Sequence, residues 1–101
     1  MANYNNIREV PKDQLKLIRI SLVERLCSLE KEVDSLPKSH PSIRELRGQQ
    51  DSYATAFNIT MRLERNETDD HIRKKEGLSN DGLNRSYRTL LDIYSSSQFS
   101  Q

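Results

Sequence analysis

The sequence contains few of the residues that build reactive or covalently linked sites. It has a single cysteine, Cys27, so no internal disulfide can form. It has no tryptophan and only three glycines, none of them in a glycine-rich phosphate-binding loop. Asp69, Asp70 and His71 form the one cluster that resembles a metal site, but consecutive residues of a helix point in different directions. We therefore expect no metal, no cofactor and no enzymatic activity.

An excess of charge of one sign is also missing. The 16 basic and 15 acidic side chains leave a formal net charge of +1, which gives no overall attraction to nucleic acid or to anionic membranes. No apolar run approaches the ~20 residues that a membrane-spanning helix needs. The first six residues have neither a basic start nor an apolar core, so they do not resemble a signal peptide. We expect a cytoplasmic protein without membrane association.

The strongest positive signal is a series of apolar residues in the first third of the chain, spaced three and four apart as on one side of an α-helix. Residues 1–10 before it are polar and predict an arm. Pro11 suits the first position of a helix, and Pro37 and Pro41 end it, so a helix is predicted over residues 11–36. The members of the series are Leu15, Ile18, Leu22, Leu26, Leu29, Val33 and Leu36.

A second helix is predicted over residues 42–65. Ser42 and Glu45 match the capping box, in which each side chain satisfies a free backbone donor. The two-proline connection before it is of the length that joins antiparallel neighbouring helices, so the pair predicts a helical hairpin. The residues on its buried stripe, apolar except for Gln50, are Ile43, Leu46, Gln50, Tyr53, Phe57 and Met61.

Two shorter helices are predicted to follow. Thr68 is a suitable cap for a helix over residues 69–76, and Gly77 would end it. A last helix is predicted over residues 80–94, followed by a disordered tail at 95–101. Its apolar side consists of Leu83, Tyr87, Leu90, Leu91 and Tyr94. The expected fold is an all-α single domain: a long antiparallel hairpin with shorter C-terminal helices.

The charges of the first helix favour self-association into a dimeric bundle. Its basic side chains come first and its acidic ones last, which is the wrong order for the helix dipole. An antiparallel second copy would set each basic half against an acidic half, and Gln50 could fix the register. A chance distribution is the alternative, because each effect is only a few tenths of a kcal/mol. The predicted partner-binding residues are Lys12, Lys16, Arg19, Glu30, Glu32 and Asp34.

Low apolar content supports the same expectation. Only 34% of the residues are hydrophobic and 31% are charged, so a lone chain of this size would have a thin core. The predicted function is that of a non-enzymatic protein–protein interaction module, acting as a homodimer. It would be a small regulator, adaptor or inhibitor of another protein.

The alternative is a dimeric DNA- or RNA-binding regulator. Residues 71–88 have the outline of a degenerate helix-turn-helix. Arg73 and Glu76 argue against it, because those positions normally carry a small and an apolar side chain, and burying an unpaired charge costs several kcal/mol. The residues that would contact nucleic acid are Arg73, Lys74, Lys75, Asn84, Arg85 and Arg88.

Overall fold

The computed structural model describes residues 4–99. These residues form α-helices and short 3₁₀ helices and contain no strand, which confirms the all-α prediction. None of the described helices has both the length and the apolar content to cross a membrane. The α-helices are α1 (Leu15–Asp34), α2 (Ser42–Glu64), α3 (Asp69–Glu76) and α4 (Asn80–Phe99), and the 3₁₀ helices are Ile7–Glu9 and Lys12–Gln14.

Helices α1 and α2 lie side by side and antiparallel. Arg19 near the start of α1 contacts Glu64 at the end of α2, and Glu30 near the end of α1 contacts Arg47 in the first half of α2. The side of α1 that is buried against its neighbours carries most of the apolar series, with Leu26 half-buried at its edge. Helix α1 ends at Asp34 and not at the predicted residue 36, so the half-buried Leu36 lies just beyond it. Its buried members are Leu15, Ile18, Leu22, Leu29 and Val33.

Helix α4 packs against both α1 and α2 and completes the main core. The molecule measures 42 × 36 × 19 Å, and the short dimension is that of two layers of helices. Because α4 contacts both hairpin helices from one side, the opposite side of the hairpin has no cover within the described residues. Fully buried members of this core are Ile18, Leu22, Ile59, Ile72 and Leu90.

The tip of the hairpin extends beyond α4. A second, smaller cluster holds it together and consists of Leu29, Val33 and Leu46. No α4 residue takes part in this cluster. The hairpin tip is therefore a two-helix structure, and the first half of α2 keeps one side open.

Helix α3 is short because residues at both of its ends limit it. The Thr68 hydroxyl accepts the His71 N–H at 3.2 Å and caps the start. Gly77 takes the left-handed conformation with φ of 67°, which ends the helix. The Leu78 N–H then donates to the Arg73 carbonyl at 2.9 Å, so the last turn is closed by backbone hydrogen bonds.

The prediction of a polar arm at residues 1–10 is wrong in part. Ile7 and Val10 are only 1% and 3% exposed and belong to the main core. Asn6 caps the 3₁₀ helix Ile7–Glu9 by accepting the Arg8 N–H at 2.9 Å. Helix α1 correspondingly begins at Leu15 instead of residue 11, because the 3₁₀ helix Lys12–Gln14 precedes it.

The start of α2 also differs from the prediction. Pro41 takes the N-cap position, and the capping box of Ser42 and Glu45 does not form. The side chain of His40 replaces it, since its Nδ1 accepts the Ser42 N–H at 3.1 Å. The histidine of the connection thus satisfies one of the free backbone donors of the helix start.

Two further differences concern the ends of α2 and α4. Met61 was expected in the apolar stripe of α2 but is 43% exposed, whereas Ala56, Ile59 and Leu63 are buried. Beyond its midpoint α2 packs against α3 and α4 as well as α1, which moves its buried side. Helix α4 runs to Phe99 where a tail was predicted, and residues 100–101 lie outside the described residues.

Candidate interaction surfaces

The basic side chains just before and at the start of α1 lie against the C-terminal end of α2. Lys12 Nζ donates a hydrogen bond of 2.6 Å to the Leu63 carbonyl, and an Arg19 guanidinium nitrogen lies 2.8 Å from Glu64 Oε1. The last carbonyls of a helix carry partial negative charge, so positive side chains are favourable there. Lys12 and Arg19 therefore interact with a helix of the same chain.

The acidic end of α1 has a matching neighbour in the first half of α2. Glu30 Oε2 accepts hydrogen bonds from Arg47 at 2.9 Å and from Gln50 at 2.7 Å. The hydrogen bond from Gln50 and the charge of Arg47 hold the pKa of the Glu30 carboxyl below its usual value. Gln50, predicted to fix the register of a bundle, ties α1 to α2 within one chain.

The other predicted partner-binding residues have no such neighbour. Lys16, Glu32 and Asp34 are exposed, and none of them forms an ion pair within residues 4–99. The structure thus separates the predicted set into residues that pair with α2 and residues that remain open to solvent. Lys16 and Asp34 lie on the same side of α1, whereas Glu32 lies on another side.

An exposed stripe of α1 runs along the uncovered side of the hairpin. At about 100° per residue its members fall within roughly 60° of one another, away from the buried side. Ile20 is 56% exposed and Val23 is 47% exposed, which is high for large apolar side chains. We call this stripe the back face; it consists of Lys16, Ile20, Val23, Cys27 and Asp34.

The exposed Met61 of α2 lies at the same level of the hairpin as the apolar part of the back face. Arg19 reaches the Thr60 hydroxyl at 3.4 Å, which places the two helices in register there. Ile20, Val23 and Met61 are the large hydrophobic residues that are exposed among the described residues. They therefore cluster at one level of the hairpin.

A groove of about 690 Å³ lies on the α4 side of the hairpin, between the first half of α2 and the start of α4. We call it the α2–α4 groove. Tyr53 and Leu78, both half-buried, give it apolar surface, and both of its walls carry small side chains. The polar residues lining it include Glu45, Asp51 and Arg85. A groove of this size can hold several side chains of a bound segment.

Gly48 stands in the wall of this groove and has no evident role in the fold. It lies inside α2, where glycine is about 1 kcal/mol less favourable than alanine. A Cβ at this position would meet no atom within 4 Å, so packing does not require glycine. Its φ is not in the left-handed region either, unlike that of Gly77. Sequence reasoning missed this residue, since a single glycine carries no periodic signal.

The predicted nucleic-acid residues of α3 do not form a free basic patch. Arg73 pairs with Asp70 one turn earlier, while Lys74 and Lys75 are exposed on different sides of the helix. Glu76, whose burial argued against a helix-turn-helix, is 11% exposed and lies 2.8 Å from Arg62 Nε. The carboxylate is therefore paired, and that particular objection no longer applies.

The nucleic-acid residues of α4 line two different cavities. Arg85 lines the α2–α4 groove, whereas Asn84 and Arg88 line a different pocket of about 220 Å³ beside the N-terminal segment. Asp81 and Asp92 lie on the same outer side of α4 as the two arginines, so this side has mixed charge. The structure does not bring the predicted set together on one surface.

A polar cluster that the sequence did not predict joins the N-terminal segment to α3 and α4. Arg8 Nε donates to Asp69 Oδ1 at 2.9 Å, and another Arg8 nitrogen donates to the Glu67 carbonyl at 2.7 Å. Tyr87 also donates to the Asp69 carboxylate, at 2.6 Å. These residues are up to 79 positions apart, so no local pattern could reveal the cluster. Each of these polar groups is hydrogen-bonded to another member of the cluster, which gives the cluster a structural role.

Metal-binding side chains are not gathered into a site in the described part of the chain. No group of three or more His, Cys, Asp and Glu residues there could hold a metal ion. Cys27 is a free, exposed thiol. Comparison with protein-family models, with curated proteins and with solved structures gives no match for this chain.

Proposed function

We propose that this chain is a non-enzymatic protein–protein interaction module, a small cytoplasmic regulator, adaptor or inhibitor that binds a segment of another protein in the α2–α4 groove. The observation that carries this proposal is Gly48. This glycine weakens its own helix, and because it has no side chain it leaves the groove open along the α2 side. Gly82 lines the α4 wall of the same groove, but a Cβ there would meet Ser79 Oγ at 3.3 Å, so local packing accounts for that glycine and Gly48 alone carries the argument.

The chemistry of the groove suits an amphipathic helix. Apolar surface from Tyr53 and Leu78 can cover a narrow apolar edge of the bound segment. Polar side chains around it, such as Asp51 and Arg85, can pair with charges that flank this edge. This combination of apolar centre and polar surroundings is typical of protein interfaces.

A homodimer is the second part of the proposal. Exposed Ile20 and Val23 give the back face an apolar centre that a second copy can cover. The back face and the α2–α4 groove lie on opposite sides of the hairpin. A dimer formed through the back face would thus keep both grooves accessible to the target protein.

The groove is tested by filling it. Gly48→Arg places a long side chain in the groove, and Gly48→Ala is the matched control, because both replace glycine by a better helix former. The tagged wild type and both variants are used to capture proteins from an extract of the source cells, with quantification by mass spectrometry. Circular dichroism checks that all three chains are equally helical.

The expected result is that proteins retained by the wild type and by Gly48→Ala fall about tenfold or more with Gly48→Arg. Equal retention by all three chains would contradict binding in the groove. Retention that falls equally with Gly48→Ala would also contradict it, because a single methyl group leaves the groove open.

A further inference from the structure

We propose that a second copy of this chain binds the back face with its own back face, antiparallel, in one register. Lys16 then faces Asp34 of the partner subunit, and Val23 faces Cys27 of the partner subunit. The inference rests on the homodimer of the proposed function and adds which residues meet. It does not depend on what the α2–α4 groove binds.

The register follows from the spacing of residues along the back face. Two identical helices related by a two-fold axis place residues at equal distances on either side of the axis opposite one another. With the axis at the level of Arg25, Lys16 and Asp34 are equally far from it, and so are Val23 and Cys27. Opposite charges therefore meet at both ends, and small or apolar side chains meet in the centre.

Two other arrangements of the same two faces bring like charges together. A parallel pair places Lys16 against Lys16 of the partner subunit. An antiparallel pair with its axis between Val23 and Glu24 places Lys16 opposite Lys31 of the partner subunit. Like charges at close range are unfavourable, so these two arrangements are disfavoured. An axis at Val23 would place Lys16 opposite Glu30 of the partner subunit, but the Glu30 carboxylate is already bonded to Arg47 and Gln50. The axis at Arg25 instead joins charges that the hairpin leaves unpaired.

The charges at the two ends cannot be satisfied within one chain. Lys16 and Asp34 lie 18 residues apart on α1, which is about 27 Å along a helix. Neither has an ion-pair partner within residues 4–99. By contrast, Arg19 and Glu30 are already paired with α2. The residues left open by the hairpin are thus the ones that the dimer would use.

The rest of the back face fits this register. Ile20 comes level with Glu30 and Lys31 of the partner subunit, and the methylene groups of that lysine can cover an apolar side chain while its charge stays in water. The broad side of the molecule measures 42 × 36 Å, so it has room for an interface of the standard ~800 Å² per partner.

Charge reversal is the first test. Sedimentation equilibrium is used to measure the dimer dissociation constants of the wild type, Lys16→Asp, Asp34→Lys and the double variant. Each single change turns two symmetry-related attractions into repulsions and should raise the constant about tenfold. The double variant should return it to near the wild-type value. Glu32→Lys is the matched control, with the same charge change on another side of α1.

Cysteine pairing is the second test and uses the native thiol. Val23→Cys should form a dimer through disulfides between position 23 and Cys27 of the partner subunit under mild oxidation. The wild type should not, because its two Cys27 residues lie on either side of the axis, too far apart for a disulfide. Val23→Cys with Cys27→Ser should also stay unlinked for the same reason. Denaturing electrophoresis without reductant distinguishes the two states.

The outcomes separate the register from the dimer. Two results would overturn the register while leaving the homodimer in place. One is a double variant that dimerises no more tightly than the single variants. The other is a wild type that forms the disulfide-linked dimer as readily as Val23→Cys. A wild type that is monomeric at all concentrations overturns both, and the back face would then be a site for another protein. Capture through the groove remains a separate measurement in either case.

Discussion

The hydroxyl of Tyr87 lies 2.6 Å from Oδ1 of Asp69 and donates a hydrogen bond to it, which joins the middle of α4 to the first turn of α3. Arg8 donates to the same carboxylate from the N-terminal segment. Three segments that are distant in sequence therefore meet at one carboxylate. This contact gives the fold a measurable dependence on alkaline pH.

Tyr87 should be slow to ionise as pH rises. Burial, and then its hydrogen bond to Asp69, raise the pKa of Tyr87 to about 12 from the ordinary value of 10.0. Because the pKa of Tyr87 is higher in the folded chain than in the unfolded chain, protonated Tyr87 stabilises the fold. This contribution is complete below pH 10 and is lost between pH 10 and 12. An ultraviolet titration should show a tyrosine ionising near pH 12 that Tyr87→Phe removes.

Tyr53→Phe is the control for this titration, since the Tyr53 hydroxyl contacts Arg25 and not a carboxylate. The late step should persist in that variant. If the late step persisted in Tyr87→Phe, the tyrosine that ionises near pH 12 would not be Tyr87. Tyr87→Phe should also be less stable at neutral pH by about 1 kcal/mol, which urea unfolding would measure.

Two glycines of the chain should respond in opposite ways to the same substitution. Gly48→Ala should raise the free energy of unfolding by about 0.5–1 kcal/mol, because the helix accepts alanine and the new methyl group meets no atom. Gly77→Ala should lower it by about 1 kcal/mol, because Gly77 has φ of 67°. Urea unfolding followed by circular dichroism measures both. A destabilised Gly48→Ala would mean that Gly48 serves the fold rather than the groove.

Local signals in the sequence were enough for several elements. The apolar spacing from Leu15 to Val33 reveals α1 because each member is buried on one side of a single helix. Thr68 and Gly77 mark α3 because a cap and a left-handed stop act on their immediate neighbours. These features depend on contacts within a few residues, which a sequence pattern can express.

Features that depend on distant neighbours could not be predicted in this way. Ile7 and Val10 are too few in a polar segment to show a period, yet both fill the main core. Arg62 pairs with Glu76 from a different helix, so the burial of Glu76 looked unfavourable from the sequence alone. The α2–α4 groove depends on how two helices diverge, and no local pattern specifies that angle.

The nucleic-acid alternative makes a clear prediction of its own. Phosphate contacts are strongest at low salt, so a DNA-binding chain should bind random duplex DNA at ~50 mM salt. We expect no binding, because the basic residues of α3 and α4 lie on different surfaces and alternate with Asp81 and Asp92. Fluorescence anisotropy of labelled duplex and single-stranded RNA measures this. Binding that Arg85→Ala and Arg88→Ala both weaken would favour the alternative.

Both proposed interfaces use surfaces that the chain's own helices leave uncovered, and a second copy on the back face would double the mass in solution. Light scattering of the wild-type chain during size-exclusion chromatography at micromolar concentrations measures that mass. We expect twice the mass of one chain, and a return to the mass of one chain when Val23→Glu places a charge at the centre of the back face. A wild type that has the mass of one chain at every concentration would contradict the proposed dimer.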